Sequence, residues 1–486
     1  MKNQNSMVFI VFKVLSIILA IVGLSFLLPA AVALYCREYS VLPSFLIPTG
    51  ISIAVAAAFM IAGRNRKNSL SIRASFVIVA TAWIGTCIFG AIPFYASGAI
   101  PSLVDAVFES VSGFTTTGAT ILSEIETLPR SINMWRCLSH WLGGMGIVVL
   151  TVALLPLLGI GGFQLVKAET TGPEKGKFTQ KITTTAKILW FIYMGLTAIE
   201  TVLLKIAGMD FIDALSHSFS TLGTGGFSTR NASIAAYDSA AIDTIVFTFM
   251  FLAGINFTLY YYAIIRNFTG IKNSTEFKVY LGLNFFAIAA ITILELPQYG
   301  SLLQSLRYSS FQVSAILTTT GYATWDYTTW NSASQVIILM LFFIGGCSGS
   351  TSGGVKVIRW VVLYKQLKSE MMKTIHPHGI FSVRLNKEVI RPEIIYTVSA
   401  FFFLYFLLVI LTSFIGALFG MDILTAFSGA VTMVGNVGPG FNMLGPSCNC
   451  GWLAAPVKYW YCLVMIAGRL ELFTIAIFTT IAFWKK

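Results

Sequence analysis

Four short stretches of this chain each place a glycine after small or polar residues, and none of the four contains a histidine, a cysteine or a carboxylate. Main-chain carbonyls and threonine hydroxyls are therefore the chemical groups that they offer. Oxygen atoms arranged in a ring can replace the hydration shell of a cation, which is how ion filters select. The stretches read SGFTTTGAT around Gly118, TLGTGGFST around Gly226, ILTTTGYAT around Gly321 and MVGNVGPGF around Gly438.

The glycine of each stretch has a main-chain role in this hypothesis. An extended residue that aims its carbonyl inward favours a positive φ or the absence of a β-carbon, and glycine allows both. The second and fourth stretches lack the Thr-Thr-Gly of the other two, so the ring is chemically unequal and its degree of selectivity stays open. The predicted filter consists of Thr116, Thr117, Gly118, Thr224, Gly225, Gly226, Thr319, Thr320, Gly321, Asn436, Val437 and Gly438.

The four stretches recur at matching places, 108, 95 and 117 residues apart. Each follows an amphipathic segment that is too short to cross a bilayer, and each lies between two long apolar segments. A long repeated unit of this kind indicates a repeat architecture, and four units can surround a pseudo-fourfold axis. Each short helix would point its C-terminal end, which carries partial negative charge, toward the membrane centre. The short segments are 101–115, 210–223, 305–318 and 422–435.

The composition predicts a polytopic membrane protein. Of the 486 residues, 56% are hydrophobic and 11% are charged, whereas soluble domains carry about 25% charged residues. Ten apolar segments are long enough to span a bilayer, which takes about 20 residues each. They lie at 8–34, 46–63, 74–98, 135–158, 186–207, 242–265, 279–297, 334–364, 394–419 and 457–484.

The predicted fold class is therefore an all-α membrane protein. Four span–pore helix–span repeats surround a pseudo-fourfold pore, and two extra transmembrane helices precede them. The predicted limits are 1–72 for the N-terminal two-helix segment and 73–160, 161–270, 271–368 and 369–486 for the four pore repeats.

The charged residues predict the orientation. The net charge is +12, and the basic residues collect in alternate connections between apolar segments. This distribution follows the positive-inside rule rather than the pattern of a nucleic-acid-binding surface, and it places both termini in the cytoplasm. The acidic residues lean to the outer side. They could line a vestibule that concentrates cations, or they could be solvated loop charges, and both interpretations stay open.

The segment GGCSGSTSGG at 345–354, called here the Gly/Ser loop, should interrupt the second span of the third repeat. Its five glycines are poor helix formers, at about 1 kcal/mol each relative to alanine. No GK[ST] pair follows, so it is not a phosphate-binding loop. The alternative is a continuous helix that packs tightly through small residues.

Arg469 lies near the middle of the last predicted span. A charge at that depth costs at least ~2.5 kcal/mol, so its side chain should face protein or water. Glu471 lies about 200° around the helix and is a poor partner. The alternative to a pore-facing arginine is a structural ion pair, for example with Glu200 or Glu295.

The four glycine stretches, the Gly/Ser loop and Arg469 together resemble the Trk/Ktr/HKT superfamily of potassium transporters, most closely the bacterial Trk type. The resemblance covers essentially the whole chain, and the N-terminal pair of spans suits Trk rather than the shorter Ktr form. It implies that Gly118, Gly226, Gly321 and Gly438 belong to a potassium selectivity filter. It also implies that Arg469 is a pore barrier and that a gating loop consists of Gly345, Gly346, Ser348, Gly349, Ser350, Thr351, Ser352, Gly353 and Gly354.

The resemblance also implies partners and a location. They are a homodimer with one pore in each protomer, a cytoplasmic nucleotide-binding TrkA-like regulatory subunit, and the bacterial inner membrane. K⁺ is the transported ion, Rb⁺ is expected to permeate, and the chain needs no cofactor. The loops at 159–185 and 365–392 are the large cytoplasmic surfaces on which a subunit could dock.

Two other functions compete with a channel-like pore. An H⁺- or Na⁺-coupled symporter built from broken helices is the alternative that the sequence leaves open. An enzyme is disfavoured because His140, His217, His376 and His378 form no metal or nucleophile pattern. Cys448 and Cys450 share a loop, and their pairing state stays open.

Overall fold

The structure is a computed structural model that describes residues 2–62, 72–146, 182–386 and 388–484. It is a helical protein with one short hairpin. The N-terminal segment contains α1 (Lys2–Ser25), α2 (Leu27–Tyr35) and α3 (Leu42–Ala62). Small residues let α1 and α3 approach closely, and the Thr49 hydroxyl donates to the Gly23 carbonyl across them at 2.7 Å.

Each repeat contributes a first helix, a short pore helix and a second helix. Repeat 1 contains α4 (Ile72–Gly90), α5 (Ile92–Ala96), the pore helix α6 (Leu103–Phe114) and α7 (Arg130–Gly144). Repeat 2 contains α8 (Ile182–Ile206), the pore helix α9 (Phe211–Leu222), α10 (Ala240–Ala253), α11 (Phe257–Ile264) and α12 (Phe268–Asn273).

The other two repeats follow the same order. Repeat 3 contains α13 (Thr275–Tyr299), the pore helix α14 (Leu302–Leu317), α15 (Ser332–Leu341) and α16 (Val357–Ile375). The antiparallel strands β1 (Arg384–Leu385) and β2 (Glu388–Val389) form a hairpin before repeat 4. Repeat 4 contains α17 (Pro392–Leu418), the pore helix α18 (Ile423–Val434), α19 (Ala455–Arg469), α20 (Leu472–Ala476) and α21 (Ile481–Trp484).

The N-terminal segment packs on repeat 1 through aromatic side chains. The ring of Phe26 meets that of Trp135 edge-on, with centroids 4.6 Å apart, and Phe114 meets the same indole at 5.8 Å. The indole nitrogen of Trp135 donates to the Gly90 carbonyl at 2.9 Å, which satisfies its polar group. These contacts fix the position of pore helix α6 relative to the N-terminal segment.

The described helices confirm most of the predicted spans and correct the shape of three. Six spans are long and apolar enough to cross a membrane, and two further pairs qualify if each bent pair counts as one span. The predicted spans 242–265 and 457–484 are bent, by 93° between α10 and α11 and by 116° between α19 and α20. The predicted span 334–364 is split into α15 and α16.

Parts of the sequence-based map lie outside the described residues. These parts are the end of the predicted span 135–158, most of the loop 159–185, and the proposed boundary between the first two repeats. The proposed limits of the five segments therefore stay predictions.

Candidate functional site

The four pore helices place their C-terminal halves in the centre of the molecule. Every residue from Phe108 to Phe114 in α6 is buried, and the ends of α9, α14 and α18 are buried in the same way. At their N-terminal ends, Ser102, Asp210 and Asp422 accept amide hydrogen bonds as N-caps of α6, α9 and α18. Hydrogen bonds from the Thr425 side chain and amide hold the pKa of Asp422 below its usual value.

Each pore helix ends in the same capping motif, which sequence reasoning missed. The residue two positions before each filter glycine has a positive φ, in Thr116 (53°), Thr224 (53°), Thr319 (57°) and Asn436 (52°). The next amide donates to the carbonyl five residues back, as in a Schellman motif. These bonds run from Thr117 to Ser112 (2.9 Å), Gly225 to Ser220 (2.9 Å), Thr320 to Ala315 (2.8 Å) and Val437 to Thr432 (2.8 Å).

The left-handed conformation is unusual for threonine. A β-branched residue with φ > 0 is a genuine outlier, whereas asparagine tolerates it better. Such strain costs of order 1–3 kcal/mol per residue and persists only where surrounding contacts enforce it. The residue type of Asn436 is compatible with a left-handed conformation and could have indicated it from the sequence. The three threonines gave no such indication.

The filter glycines also have positive φ, as predicted, with values of 79°, 80°, 78° and 96° in chain order. A β-carbon on any of them would lie under 3.0 Å from a carbonyl oxygen of the neighbouring repeat. The pairs are Gly118 with Gly225, Gly226 with Thr320, Gly321 with Val437, and Gly438 with Thr117. Because these contacts run from each repeat to the next and from the fourth back to the first, the four turns form a closed ring.

The fourth turn differs from the others in its side chains but has the same backbone conformation. The side-chain amide of Asn436 donates to the Thr117 hydroxyl at 3.0 Å and to the Met465 carbonyl at 2.9 Å. The hydroxyl of Thr117 also lies 2.8 Å from that of Thr115. The first and fourth turns are therefore tied by side chains, while the main chain supplies the same arrangement of oxygens as in the other repeats.

A buried ion pair lies next to the residues that follow the first filter turn. The guanidinium of Arg136 and the carboxylate of Glu109 lie 2.8 Å apart, and both side chains are 0% exposed. Glu109 also accepts from the Thr120 hydroxyl at 2.9 Å and from the Ile121 amide at 3.0 Å, directly beyond the filter. Nothing in the sequence indicated this contact, because the two residues are 27 positions apart along the chain.

Removal of one partner of this pair should destabilise the protein strongly. Arg136→Ala is expected to lower the free energy of unfolding by about 3–5 kcal/mol, because it leaves a buried carboxylate without its charge partner. Arg130→Ala is the matched control, since Arg130 and Asp210 are 44% and 49% exposed and such pairs contribute about 0–1 kcal/mol. Thermal unfolding of both detergent-purified variants measures the difference, and equal melting temperatures would contradict it.

Several outer acidic residues are ion-paired, which weakens the interpretation of a free anionic vestibule. Besides Glu109, these carboxylates include Asp105 with Lys458 (2.6 Å), Asp210 with Arg130 (2.6 Å), Asp213 with Arg230 (3.2 Å) and Asp243 with Arg307 (2.7 Å). Their charges are largely balanced locally, and most of these pairs join different helices near the N-terminal ends of the pore helices.

The Gly/Ser loop is unwound, as predicted, so the alternative of a continuous helix is wrong, although the loop does pack tightly. It lies on the inner side of the ring, the side toward the C-terminal ends of the pore helices. The Gly353 amide donates to the Thr319 hydroxyl at 2.7 Å. A β-carbon on Gly353 would lie 2.6 Å from the Gly435 carbonyl oxygen and 2.9 Å from the Asn436 β-carbon. The loop therefore contacts the third and fourth filter turns directly.

The rest of the loop is fixed to the second repeat and to its own ends. Gly349 has a φ of 71°, and its carbonyl accepts from the Phe257 amide at 3.0 Å. The Cys347 amide donates to the Gly254 carbonyl at 2.9 Å, where α10 ends. The remaining members of the predicted loop set are Gly345 and Gly346 at its start, Ser348, Ser350, Thr351 and Ser352 in its middle, and Gly354 at its end.

Arg469 is the last residue of α19, not the middle of a continuous helix as predicted. Its guanidinium donates to the carbonyls of Thr351 (2.9 Å), Gly143 (2.6 Å) and Gly144 (3.0 Å). It therefore joins repeat 4 to the Gly/Ser loop and to the end of α7. Glu471 follows with a φ of 62°, where the chain turns into α20.

Neither of the two glutamates named for a structural ion pair, Glu200 and Glu295, is bonded to Arg469. Glu295 accepts from the Asn331 amide at 3.1 Å. Glu200 is 0% exposed, and neither of its carboxylate oxygens has a hydrogen-bond partner in the described part of the chain. Glu471 pairs instead with Arg359 of α16, at 2.5 Å.

Sequence reasoning missed that a glycine pair or an Ala-Gly pair lies at or near the end of the second helix of every repeat. The pairs are Gly143-Gly144, Ala253-Gly254, Gly345-Gly346 and Ala467-Gly468, and the second residue of each pair follows its filter glycine by 25 to 30 residues. Only the third had drawn attention, because more glycines surround it. Small residues let the helices approach closely, and a β-carbon on Gly468 would lie 2.8 Å from the Asn436 side-chain oxygen.

This chain is similar to known proteins over nearly its whole length. The TrkH family model, described as a cation transport protein, matches residues 42–300 and 301–485. The Trk system potassium uptake protein TrkH of Halomonas elongata is 38% identical over 98% of this chain and 99% of its own length. TrkH of Escherichia coli K12 is 35% identical over the same shares of the two chains.

A solved structure has the same fold. The crystal structure of the potassium transporter TrkH from Vibrio parahaemolyticus superposes with a TM-score of 0.86 at 34% identity, covering 98% of this chain and 99% of that one. This match confirms the predicted all-α repeat fold, and the family consists of transport proteins, in agreement with the prediction that the chain is not an enzyme. The protein is a multi-pass membrane protein and belongs to the TrkH family of cation transport proteins.

Proposed function

We propose that this protein takes up potassium across the bacterial inner membrane through the ring of four filter turns. The closed cycle of contacts between each filter glycine and the next repeat is the observation that carries the proposal. It supports a filter in which four main-chain segments of equal conformation face one axis. The relatives are named as potassium uptake proteins of the Trk system.

Main-chain carbonyls of the filter turns would replace the hydration shell of K⁺. The C-terminal ends of the pore helices add partial negative charge at the same point, which favours a cation. Two threonine hydroxyls of the predicted filter are engaged elsewhere, since Thr117 and Thr320 lie 2.8 Å from the hydroxyls of Thr115 and Thr318. The carbonyls are therefore the better candidates for ion contact.

The Gly/Ser loop and Arg469 would form the barrier on the inner side of the filter. The loop contacts the Thr319 hydroxyl, and Arg469 is bonded to the loop at Thr351. A fixed guanidinium charge near the ion path opposes the passage of cations. Opening would require that the loop move and that the charge be displaced or screened.

A proton-coupled symporter is the second candidate, and Glu200 is the observation that favours it. This carboxyl group lies in span α8, is fully buried and lacks a hydrogen-bond partner among the described residues. Intramembrane acids of this kind occur in proton relays. Proteoliposomes with equal K⁺ on both sides and an imposed pH gradient separate the two candidates, because only a coupled carrier would accumulate K⁺.

The proposed assembly is a homodimer that binds a TrkA-like nucleotide-binding subunit on its cytoplasmic face, with both termini on that side. The end of α16 and the β1–β2 hairpin, within residues 365–392, form the described part of the candidate docking surface. The other candidate loop, 159–185, lies mostly outside the described residues.

Two assays test the proposed function. The chain should restore growth at limiting potassium to a host that lacks its own potassium uptake. Purified protein in liposomes should carry Rb⁺ and K⁺ in preference to Na⁺. A folded, membrane-inserted protein that supports neither growth nor flux would contradict the proposal.

A further inference from the structure

The carboxylate of Glu276 bonds to the Gly/Ser loop and to the start of the helix that follows it, and these two bonds are called here the clasp. Glu276 lies in the first turn of α13 and is 3% exposed. One of its oxygens accepts from the Ser348 amide at 2.6 Å and from the Ile358 amide at 3.2 Å. A single buried oxygen therefore joins the early part of the loop to the first turn of α16.

The two amides are groups that need such a partner. The first amides of a helix have no acceptor within the helix, and a negative charge there is favoured by the helix dipole. Ile358 is in the first turn of α16, and Ser348 lies in the unwound segment. Hydrogen bonds to a carboxylate are roughly twice as strong as neutral ones, so Glu276 is a stronger tether than the neutral bonds of the loop.

The residue before Glu276 is bonded to the hairpin. The Thr275 amide donates to the side-chain oxygen of Asn386 at 2.8 Å. Asn386 directly follows β1 and has a φ of 50°. Consecutive residues of α13 thus contact the hairpin on one side and the Gly/Ser loop on the other.

The hairpin is also fixed to the helix that leaves the loop. The Lys365 ammonium donates to the Arg384 carbonyl at 2.6 Å, and the Ser369 hydroxyl donates to the Phe381 carbonyl at 3.2 Å. Lys365 and Ser369 belong to α16. A displacement of the hairpin would therefore act on α16 and on the start of α13 together, and these are the two elements that Glu276 connects.

We propose that Glu276 is the positioning residue that holds the Gly/Ser loop against the filter, and that the β1–β2 hairpin controls this clasp through Asn386 and Thr275. The inference rests on the proposed function of the loop as a gate. A protein partner that binds the hairpin on the cytoplasmic face would move α13 relative to α16, weaken the two amide bonds and release the loop.

Two cations of this region hold the loop and α16 through other contacts. Lys356 donates to the Ser352 carbonyl within the loop, and Arg359 is paired with Glu471. The clasp thus adds a link between α13 and the Gly/Ser loop that those two contacts do not make.

The test compares Rb⁺ flux of full-length variants in liposomes without any regulatory partner. Glu276→Ala removes both bonds and should raise the basal flux about tenfold or more, as expected for the loss of charge-assisted hydrogen bonds. Glu276→Gln keeps an acceptor oxygen without the charge, so its flux should rise less. The Rb⁺/Na⁺ flux ratio should stay at the wild-type value in both, because the filter is untouched.

Glu295→Gln is the matched control. It changes a buried carboxyl at the other end of α13 that accepts one amide, from Asn331, away from the loop, and its basal flux should equal that of the wild type. Asn386→Ala should also raise the basal flux. The double variant should have about the same basal flux as the more active single variant, because both substitutions act on one clasp.

The outcomes separate this inference from the proposed function. Absence of Rb⁺ flux in the wild type would overturn the proposed function itself. Wild-type flux with an unchanged or reduced basal flux in a folded Glu276→Ala protein would overturn the clasp alone. If the alanine variant does not fold, the glutamine variant decides, and a basal flux equal to the wild type there would overturn the clasp.

Discussion

Serine at a filter glycine is expected to reduce K⁺ flux at least about tenfold and to lower the preference for K⁺ over Na⁺. Two effects combine at each position. A left-handed conformation costs roughly 1–2 kcal/mol for a residue with a β-carbon, and that β-carbon would lie under 3.0 Å from a neighbouring carbonyl oxygen. Because the oxygen belongs to the next repeat, a substitution in one turn disturbs the ring in another.

The geometry also predicts an order among the four substitutions. The clash is tightest at Gly118, against the Gly225 carbonyl, and loosest at Gly438, against the Thr117 carbonyl. We therefore expect Gly118→Ser to show the largest loss of flux and Gly438→Ser the smallest. Initial rates of Rb⁺ uptake into liposomes, with Na⁺ as competitor, measure both the flux and the selectivity.

Glycines in open surroundings provide the control. A β-carbon on Gly195 or Gly282 would meet nothing within 4 Å, and both lie in first helices, α8 and α13. Gly195→Ser and Gly282→Ser should retain wild-type flux. If Gly118→Ser is folded and transports Rb⁺ with unchanged rate and selectivity, the four turns are not the filter.

Removal of the Arg469 charge is expected to raise K⁺ flux by about tenfold or more. The alanine variant loses the fixed positive charge on the inner side of the filter. It also loses the bonds to the Thr351, Gly143 and Gly144 carbonyls, which tie the Gly/Ser loop to two other repeats. Both losses act in the same direction, toward a wider and less repulsive pathway.

Arg469→Lys separates the two contributions. Lysine keeps the charge but lacks the planar fork that reaches several carbonyls at once. Flux near the wild-type level in Arg469→Lys would assign the barrier to the charge, whereas flux near that of Arg469→Ala would assign it to the tether. Arg130→Ala on the outer side is the control, and identical uptake kinetics for Arg469→Ala and the wild type would refute the barrier.

The four-repeat fold was predictable because its signals are local or periodic. Long apolar segments identify spans wherever they occur, and a glycine phrase that returns after each short segment marks the repeat. The Gly/Ser loop was predictable for the same reason, since five glycines within ten residues oppose a helix. Bent spans in repeats 2 and 4 were not, because a single Ala-Gly pair in an apolar segment is compatible with a straight helix.

The partners of charged residues were predicted least well. Arg136 and Glu109 are 27 residues apart in sequence, Arg359 and Glu471 are 112 apart, and the bonds of Arg469 to Gly143 and Thr351 cross three repeats. A charged residue in an apolar segment predicts that it has a partner. Which residue is the partner depends on helices that come into contact only when the repeats assemble.

By itself, the sequence determined the membrane class, the fourfold repeat and the glycine of each filter turn, because hydropathy and backbone freedom are properties of residues and short segments. Tertiary structure alone decided that the four turns close into a ring and that three threonines and Asn436 adopt left-handed conformations. It also decided that Arg469 and Glu276 hold the Gly/Ser loop from two sides. These features arise from contacts between distant repeats, and no local pattern encodes which carbonyl or amide a side chain will meet.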